Sequence, residues 1–166
     1  MRCLSCLLLG LTVGPRALHA DPLWDAEVRV GYGVAVGGSG AMTSTRPTPL
    51  TLAALGSIAI VEEPAVSAYG GLIVETIDRN AAGTMFGFKL RPHDSRVRLA
   101  IGGAWIFAPY KLWGATASGG MCGHQSPSLS VCGHVQLTTY VGGTDLAPGH
   151  TVTQAQLVIG LVFDAL

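Results

Sequence analysis

Charged residues are scarce in this chain of 166 residues, and neither sign dominates. Lysine and arginine number 10 together, aspartate and glutamate also number 10, and the formal net charge is zero. The charged fraction is 12%, whereas soluble domains usually contain roughly 25%. A protein that binds nucleic acid needs a broad basic surface, so this balance excludes nucleic acid as a partner.

Long apolar runs are missing as well. No run of about 18 consecutive apolar residues occurs, so the sequence does not predict a membrane-spanning helix. The 23 glycines and 9 prolines argue against a helical bundle. Hydrophobic residues nevertheless make up 49% of the chain. The sequence therefore indicates one glycine-rich, apolar domain whose hydrophobic residues need an unusual environment.

The first twenty residues have the pattern of a secretory signal peptide. Arg2 supplies a positive start, residues 4–13 form a short apolar run, and Ala20 is a small residue where a signal peptidase could cut. We predict a signal peptide at residues 1–20 and a mature domain at residues 21–166; a buried N-terminal helix is the alternative. The mature chain would then keep two of its four cysteines, in an oxidising compartment.

The mature chain alternates between apolar and small or polar residues, which is the period of a β-strand. In residues 26–37 the even positions are apolar and the odd positions are charged or small. Similar runs recur along the chain and predict an all-β domain of eight strands. The predicted strands are residues 26–37, 50–61, 66–75, 84–91, 97–107, 112–121, 131–142 and 151–164.

The two faces of these strands differ in bulk. One face is rich in valine, leucine, isoleucine, phenylalanine and tryptophan, and the other in glycine, alanine, serine and threonine. The interior of an eight-stranded barrel is narrow and suits small residues, so the bulky face would point outward, which only lipid tolerates. We predict an eight-stranded antiparallel transmembrane β-barrel. A secreted soluble barrel that binds a small ligand is the alternative.

With its signal peptide, opening strand and apolar final strand, the sequence resembles the small Gram-negative outer-membrane β-barrels of the OmpA/OmpX-like class. This resemblance implies a monomer surrounded by outer-membrane lipid. It also implies recognition by the outer-membrane assembly machinery, which reads an aromatic residue at the end of the last strand; here the last aromatic residue is Phe163.

The topology of that class places both termini in the periplasm. The turns at residues 62–64 and 92–94 and the 122–132 loop would then be periplasmic. The connections at residues 39–49, 78–82, 109–111 and 144–150 would face outward.

Several charged residues fall on the inward face. Buried charges need partners, so we predict that these residues pair within the lumen. A small-solute pore is the alternative, although eight strands leave little room for one. The predicted lumen network consists of Glu27, Arg29, Glu75, Lys89, Arg91 and Arg98.

Four aromatic residues cluster around one predicted hairpin end: Trp105, Phe107, Tyr110 and Trp113. Their rings suit the boundary between lipid and water, and we predict an interfacial aromatic group. A site that stacks a ligand between the rings is the alternative.

The tripeptide Cys-Gly-His occurs twice, beginning at Cys122 and Cys132. The two cysteines have the same strand parity and can meet across a hairpin, so we predict a disulfide. Together with His124 and His134 they could instead bind zinc. That site would need reduced thiolates, which an oxidising compartment disfavours, so we predict no metal and no cofactor.

The segment from His124 to Ser126 resembles the His-x-Ser pair of small barrels that remove acyl chains from lipid A. In those enzymes a downstream glutamate completes the pair, and no glutamate follows Ser126 here. We therefore predict no catalytic residues. The expected function is non-enzymatic, in envelope structure or in surface interaction and adhesion, with a lipid A-modifying enzyme as the alternative.

Overall fold

The computed structural model describes residues 24–39, 42–61, 65–77, 79–92, 95–126 and 128–164. The predicted signal peptide lies outside these residues. Within them, no helix is long and apolar enough to cross a membrane.

Nine β-strands make up the described part of the chain. They are β1 (Trp24–Ser39), β2 (Met42–Pro47), β3 (Leu50–Val61), β4 (Ala65–Thr76), β5 (Ala81–Arg91), β6 (Val97–Ala108), β7 (Leu112–Ser126), β8 (Leu129–Gly142) and β9 (Thr151–Asp164). Every pairing is antiparallel, and from β3 to β9 each strand pairs with the next one in the chain.

Strand β1 closes the sheet into a barrel, because it pairs with β9 on one side and with β2 and β3 on the other. Its partners β2 and β3 act as one long strand. The β1–β2 register includes Val34 opposite Pro47, and the β1–β3 register includes Gly31 opposite Thr51, so the two registers differ by one residue. The barrel wall therefore has eight strands, and the predicted eight-stranded antiparallel barrel is confirmed.

A local irregularity at Thr48 and Pro49 joins β2 to β3. The Thr48 N–H donates to the Gly33 carbonyl at 2.9 Å. The Gly33 N–H donates back to the Thr48 hydroxyl Oγ1 at 2.7 Å, so a side-chain oxygen serves as the acceptor. On the other side of β1, a Cβ on Gly33 would overlap the Ala155 carbonyl oxygen. This position therefore requires glycine.

The burial pattern reproduces the predicted division between the faces. In β3 buried and exposed residues alternate from Thr51 to Ile58. Bulky apolar side chains stand exposed all around the outer wall, whereas the lumen contains small and polar side chains together with an apolar cluster that includes Leu55, Ile73, Met85 and Ile106. Examples of the outward residues are Val28, Tyr32, Ile58, Leu72, Phe86, Ile101, Trp113, Val135, Leu157 and Ile159. Such a surface requires lipid around it.

Two predicted loops prove to be largely strand. Residues 39–49 were expected to form an outward connection, but residues 42–47 form β2. This strand is exposed from Thr43 to Pro47 and therefore lacks the alternation that reveals a strand. The expected 122–132 loop is likewise mostly strand, because β7 continues to Ser126 and β8 begins at Leu129.

Candidate functional site

The barrel has two ends, which we name by what lies there. The terminal end carries Trp24 and Asp164, the first and last described residues. The hairpin end carries the β1–β2 hairpin, the β4–β5 and β6–β7 connections and the loop 143–150. The lumen contains one polar cluster near each end.

The cluster near the terminal end is an ion-pair network between β1 and β5. The Arg29 guanidinium binds both oxygens of Glu27, with Nε–Oε1 at 2.6 Å and Nη2–Oε2 at 2.8 Å. Lys89 reaches the same carboxylate at 2.8 Å and Asp25 Oδ1 at 3.1 Å. Glu27, Arg29 and Lys89 are all buried. Because each buried charge has an opposite charge at hydrogen-bond distance, the network avoids the large cost of an isolated buried ion.

Strand geometry explains why this network forms. Asp25, Glu27 and Arg29 alternate with outward residues on β1, so all three face the lumen. Strand β9, which pairs with β1, leaves room for these side chains at Gly160, because a Cβ on Gly160 would lie 2.8 Å from Glu27 Oε1. Sequence reasoning missed Asp25, which precedes the predicted start of the strand but shares the odd parity of the inward face.

The two cysteines lie directly opposite each other on β7 and β8 and form a disulfide, as predicted. Both face the lumen and are buried. His134 is next to them on the same face of β8, and its Nε2 is 3.5 Å from Glu27 Oε1. His124 is elsewhere, with Nδ1 2.8 Å from the Ser130 hydroxyl.

A second cluster surrounds Glu75 near the hairpin end. Arg79 Nε lies 2.6 Å from Glu75 Oε2, and the Tyr110 hydroxyl donates to the same oxygen at 3.1 Å. Gln154 Nε2 donates to Oε1 at 3.4 Å. The Arg79 guanidinium also lies 5.0 Å from the centre of the Tyr110 ring. Burial and the Glu75 carboxylate raise the pKa of the Tyr110 phenol, so this hydroxyl keeps its proton and remains a donor.

The predicted lumen residues therefore occupy different places. Glu27, Arg29 and Lys89 meet near the terminal end, whereas Glu75 lies in the other cluster with Arg79, a residue that sequence reasoning missed because it lies in a loop. Arg91 and Arg98 line the mouth of the terminal end. They border a cavity of about 40 Å³ together with Asp25, Lys89 and Asp164.

The predicted aromatic group is divided between the two sides of the wall. Trp105 and Trp113 lie opposite each other on β6 and β7 and are exposed on the outside. The Phe107 ring is 6.0 Å from that of Trp105, in an edge-to-face arrangement. Tyr110 is half-buried and reaches the Glu75 carboxylate.

An open cleft of about 740 Å³ lies at the hairpin end, between the β1–β2 hairpin and the loop 143–150. Thr43, Ser44 and Arg46 line one side, and Leu146 and His150 line the other. Strand β2 continues beyond the end of the β3–β4 pairing at Leu50 opposite Thr76, whereas β1 stays paired with β9 as far as Gly38 opposite Thr151. The hairpin and the loop thus present polar and basic groups at this end of the barrel.

Comparison with known proteins defines the fold. No protein-family model matches the sequence, and no curated protein matches it. Among solved structures, Neisserial surface protein A (NspA) is 7% identical with a TM-score of 0.53, and the match covers 86% of this chain and 97% of that one. The fold is that of a small outer-membrane β-barrel. Ail, the attachment invasion locus protein of Yersinia pestis, is 10% identical with a TM-score of 0.47, over 84% of this chain and 98% of Ail.

The lumen of this barrel is filled by side chains. The cavity beside the disulfide and Glu27 measures about 10 Å³, as does the one beside Gln136 and Gln156. A volume of this size holds about one water molecule. The lumen arrangement therefore suits internal stabilisation better than passage of a solute.

Proposed function

We propose that this chain is a non-enzymatic surface protein of the outer membrane, which binds an external partner through its hairpin end. It would be secreted with residues 1–20 as its signal peptide, inserted by the assembly machinery and act as a monomer. The observation that carries this proposal is the polar strand β2, which continues beyond the end of the β3–β4 pairing beside the cleft.

The outer wall supports the membrane location. Its exposed belt includes Val28, Leu72, Phe86, Ile101 and Leu157. In water this belt would greatly exceed the few hundred Å² of apolar surface that soluble monomers usually expose. A closed barrel also pairs the backbone groups of its wall, as a bilayer requires.

The hairpin end supports a role in surface binding. Thr43, Ser44 and Arg46 are exposed and supply hydroxyl and cationic groups. Connections at the ends of a rigid barrel are common places for binding residues, because the scaffold fixes their position. NspA, which shares this fold, is by its name a surface protein.

The pore and enzyme alternatives have less support. Ion pairs and small cavities occupy the lumen. A register shift lies between His124 and Ser126, and the His124 ring bonds with the buried Ser130 hydroxyl. The imidazole is therefore engaged with Ser130 rather than with the Ser126 hydroxyl that the His-x-Ser pair requires.

Cysteine labelling of intact cells tests location and orientation. We expect Thr45→Cys, at the hairpin end, to react with a membrane-impermeant maleimide on intact cells. Ser95→Cys, in the β5–β6 turn at the terminal end, should react only after the outer membrane is permeabilised. The reverse pattern would refute the orientation, and recovery of the unlabelled protein in the soluble periplasm would refute the membrane location.

Adhesion of cells that express the protein tests the binding surface. The double variant Arg46→Glu/His150→Glu reverses the charge of the cleft, and Lys111→Glu is the matched control at the same end but outside the cleft lining. With epithelial monolayers as the probe, we expect the wild type and Lys111→Glu to increase adhesion and the double variant to lose the increase. Equal adhesion of all three would refute binding through the cleft.

A further inference from the structure

The lumen beside the disulfide brings three metal-ligating groups together. Ligand atoms of Cys122, Cys132 and His134 all lie within 4.8 Å of one another, and all three residues are buried. The register produces this arrangement: Cys122 faces Cys132 across β7 and β8, and His134 follows Cys132 by two residues on the same lumen face.

His134 is the unexplained member of this group. Neither ring nitrogen has a hydrogen-bond partner among the described residues, although the side chain is only 4% exposed. A buried polar group without a partner is costly, so a native structure that keeps one needs a reason. The neighbouring strand makes room for the ring, since a Cβ on Gly120 would lie 2.6 Å from His134 Nδ1.

The two ring nitrogens of His134 have different surroundings. Nε2 faces Glu27 Oε1 at 3.5 Å, whereas Nδ1 is directed towards Gly120 on β7, the strand that carries Cys122. Metal-binding histidines commonly donate the N–H of one ring nitrogen to a carboxylate and bind the metal through the other. Glu27 would orient the ring in this way and leave Nδ1 as the ligand.

We propose that the reduced form of this protein binds one Zn²⁺ ion through Cys122, Cys132 and His134. A thiol reductant first opens the disulfide: two reductant thiols become a disulfide, and each cysteine gains one electron and one proton. Zinc then replaces both thiol protons, which leave to solvent. The oxidised protein, in which both sulfurs are covalently bonded to each other, has no thiolate to offer.

The charges around the site are compatible with this reaction. Three cations, Arg29, Lys89 and Arg98, border the same cavity against one carboxylate, Glu27, and this excess of positive charge favours deprotonation of the two thiols. One Zn²⁺ with two thiolates adds no net charge, so these cations do not oppose the bound complex. The cavity of about 10 Å³ has room for one small occupant, the ion itself.

The other Cys-Gly-His tripeptide supplies the matched control. His124 follows Cys122 by two residues, as His134 follows Cys132, but His124 is exposed and bonds with the Ser130 hydroxyl. The sequence repeat alone would make both histidines ligands, whereas the structure selects His134.

Zinc binding to the detergent-solubilised protein tests the proposal. The chain is reduced with a phosphine, freed of it under nitrogen and dialysed against zinc chloride, and bound metal is measured by elemental mass spectrometry. We expect about one zinc per chain after reduction and almost none in the oxidised protein. Cobalt in place of zinc should give the thiolate charge-transfer absorption that only sulfur ligands produce.

The variants separate ligation from a structural role. Cys122→Ser and Cys132→Ser should each abolish the cobalt–thiolate signature of a two-thiolate site. His134→Gln should weaken zinc binding about ten-fold or more, and His124→Gln should leave it unchanged. Equal zinc in both redox forms, equal loss in both histidine variants, or no zinc after reduction would each overturn the proposal. Loss of heat-modifiable gel mobility on reduction would also overturn the proposal. It would show that the reduced barrel does not stay folded, and the three ligands meet only in the folded barrel.

Discussion

The two ends of the lumen contain similar charges but hold them differently. Near the terminal end, the charged residues Glu27, Arg29 and Lys89 all come from strands, and a disulfide joins the adjacent strands β7 and β8 beside them. Near the hairpin end, Glu75 comes from a strand, whereas its partners Arg79 and Tyr110 come from connections. Strand positions are fixed by hydrogen-bond register, so the terminal-end network is held by the wall itself. The hairpin-end cluster depends on the conformation of its loops.

The arginines of the two clusters also differ in their exposure to water, and the hairpin-end arginine is the more exposed. The Arg29 side chain is 4% exposed, whereas that of Arg79 is 18% exposed. Arg79 Nε and Nη2 are themselves buried, but Arg79 lies in a connection that can rearrange and bring its charge to water, whereas Arg29 is fixed on a strand. The same chemical change should therefore cost more at the terminal end than at the hairpin end.

The largest effect should come from Glu27→Gln. This change removes the carboxylate that neutralises Arg29 and shares Lys89, and loss of one partner of a buried ion pair typically costs about 3–5 kcal/mol. We expect the free energy of unfolding in detergent, followed by urea titration and tryptophan fluorescence, to fall by that amount.

Glu75→Gln is the counterpart at the hairpin end. Removing an acceptor of charged hydrogen bonds should cost about 1.5–3 kcal/mol, because Arg79 can turn towards water. Equal losses for Glu27→Gln and Glu75→Gln would refute the distinction between a network held by the wall and one held by loops.

Gly33→Ala tests whether close packing between β1 and β9 also fixes the backbone towards the hairpin end. The added methyl group would overlap the Ala155 carbonyl, and overpacking of this kind costs about 1–3 kcal/mol. Gly133→Ala is the control, since a Cβ there meets nothing within 4 Å. We expect urea titration to show destabilisation for the first variant and little change for the second; the opposite order would contradict the β1–β9 register.

Tyr110→Phe has a smaller expected effect. It removes the hydroxyl that donates to Glu75 Oε2 at 3.1 Å and leaves the ring in place. We expect a loss of about 0.5–1.5 kcal/mol in the free energy of unfolding. A loss as large as that of Glu75→Gln would show that the hydroxyl, rather than Arg79, dominates the hairpin-end cluster.

The smallest effect concerns Asp145 in the exposed loop 143–150. The Lys111 N–H and the Thr144 hydroxyl donate to its carboxylate and hold its pKa below the ordinary 3.8. A lowered folded-state pKa stabilises the loop above the ordinary pKa, and this contribution is lost as pH falls through the folded value. The protection of the Lys111 amide, measured as its hydrogen-exchange rate relative to the intrinsic rate at the same pH, should therefore fall at low pH. Asp145→Asn should weaken this pH response; an unchanged response would assign it to another group.

Much of this architecture follows from alternation alone. The period of two residues located the wall strands, and the division between bulky and small residues predicted which face points outward. The shared parity of Cys122 and Cys132 predicted their contact, because residues of like parity on adjacent strands can face each other across a hairpin.

The remaining features depend on contacts that alternation does not encode. Strand β2 is exposed from Thr43 to Pro47 and exists because it pairs with β1. Arg79 lies in a loop, where parity has no meaning. The choice of His134 over His124 depends on the space that Gly120 leaves across the strand pair.

The seam between the first and last strands imposes an order on folding. Strand β1 pairs with β9 from Asp25 opposite Asp164 to Gly38 opposite Thr151. These contacts join opposite ends of the chain, and contacts of such long sequence separation form slowly. The wall therefore closes only after β9 has been synthesised. Until then, the edge of β1 that pairs with β9 has unpaired backbone groups and must be protected from other partners.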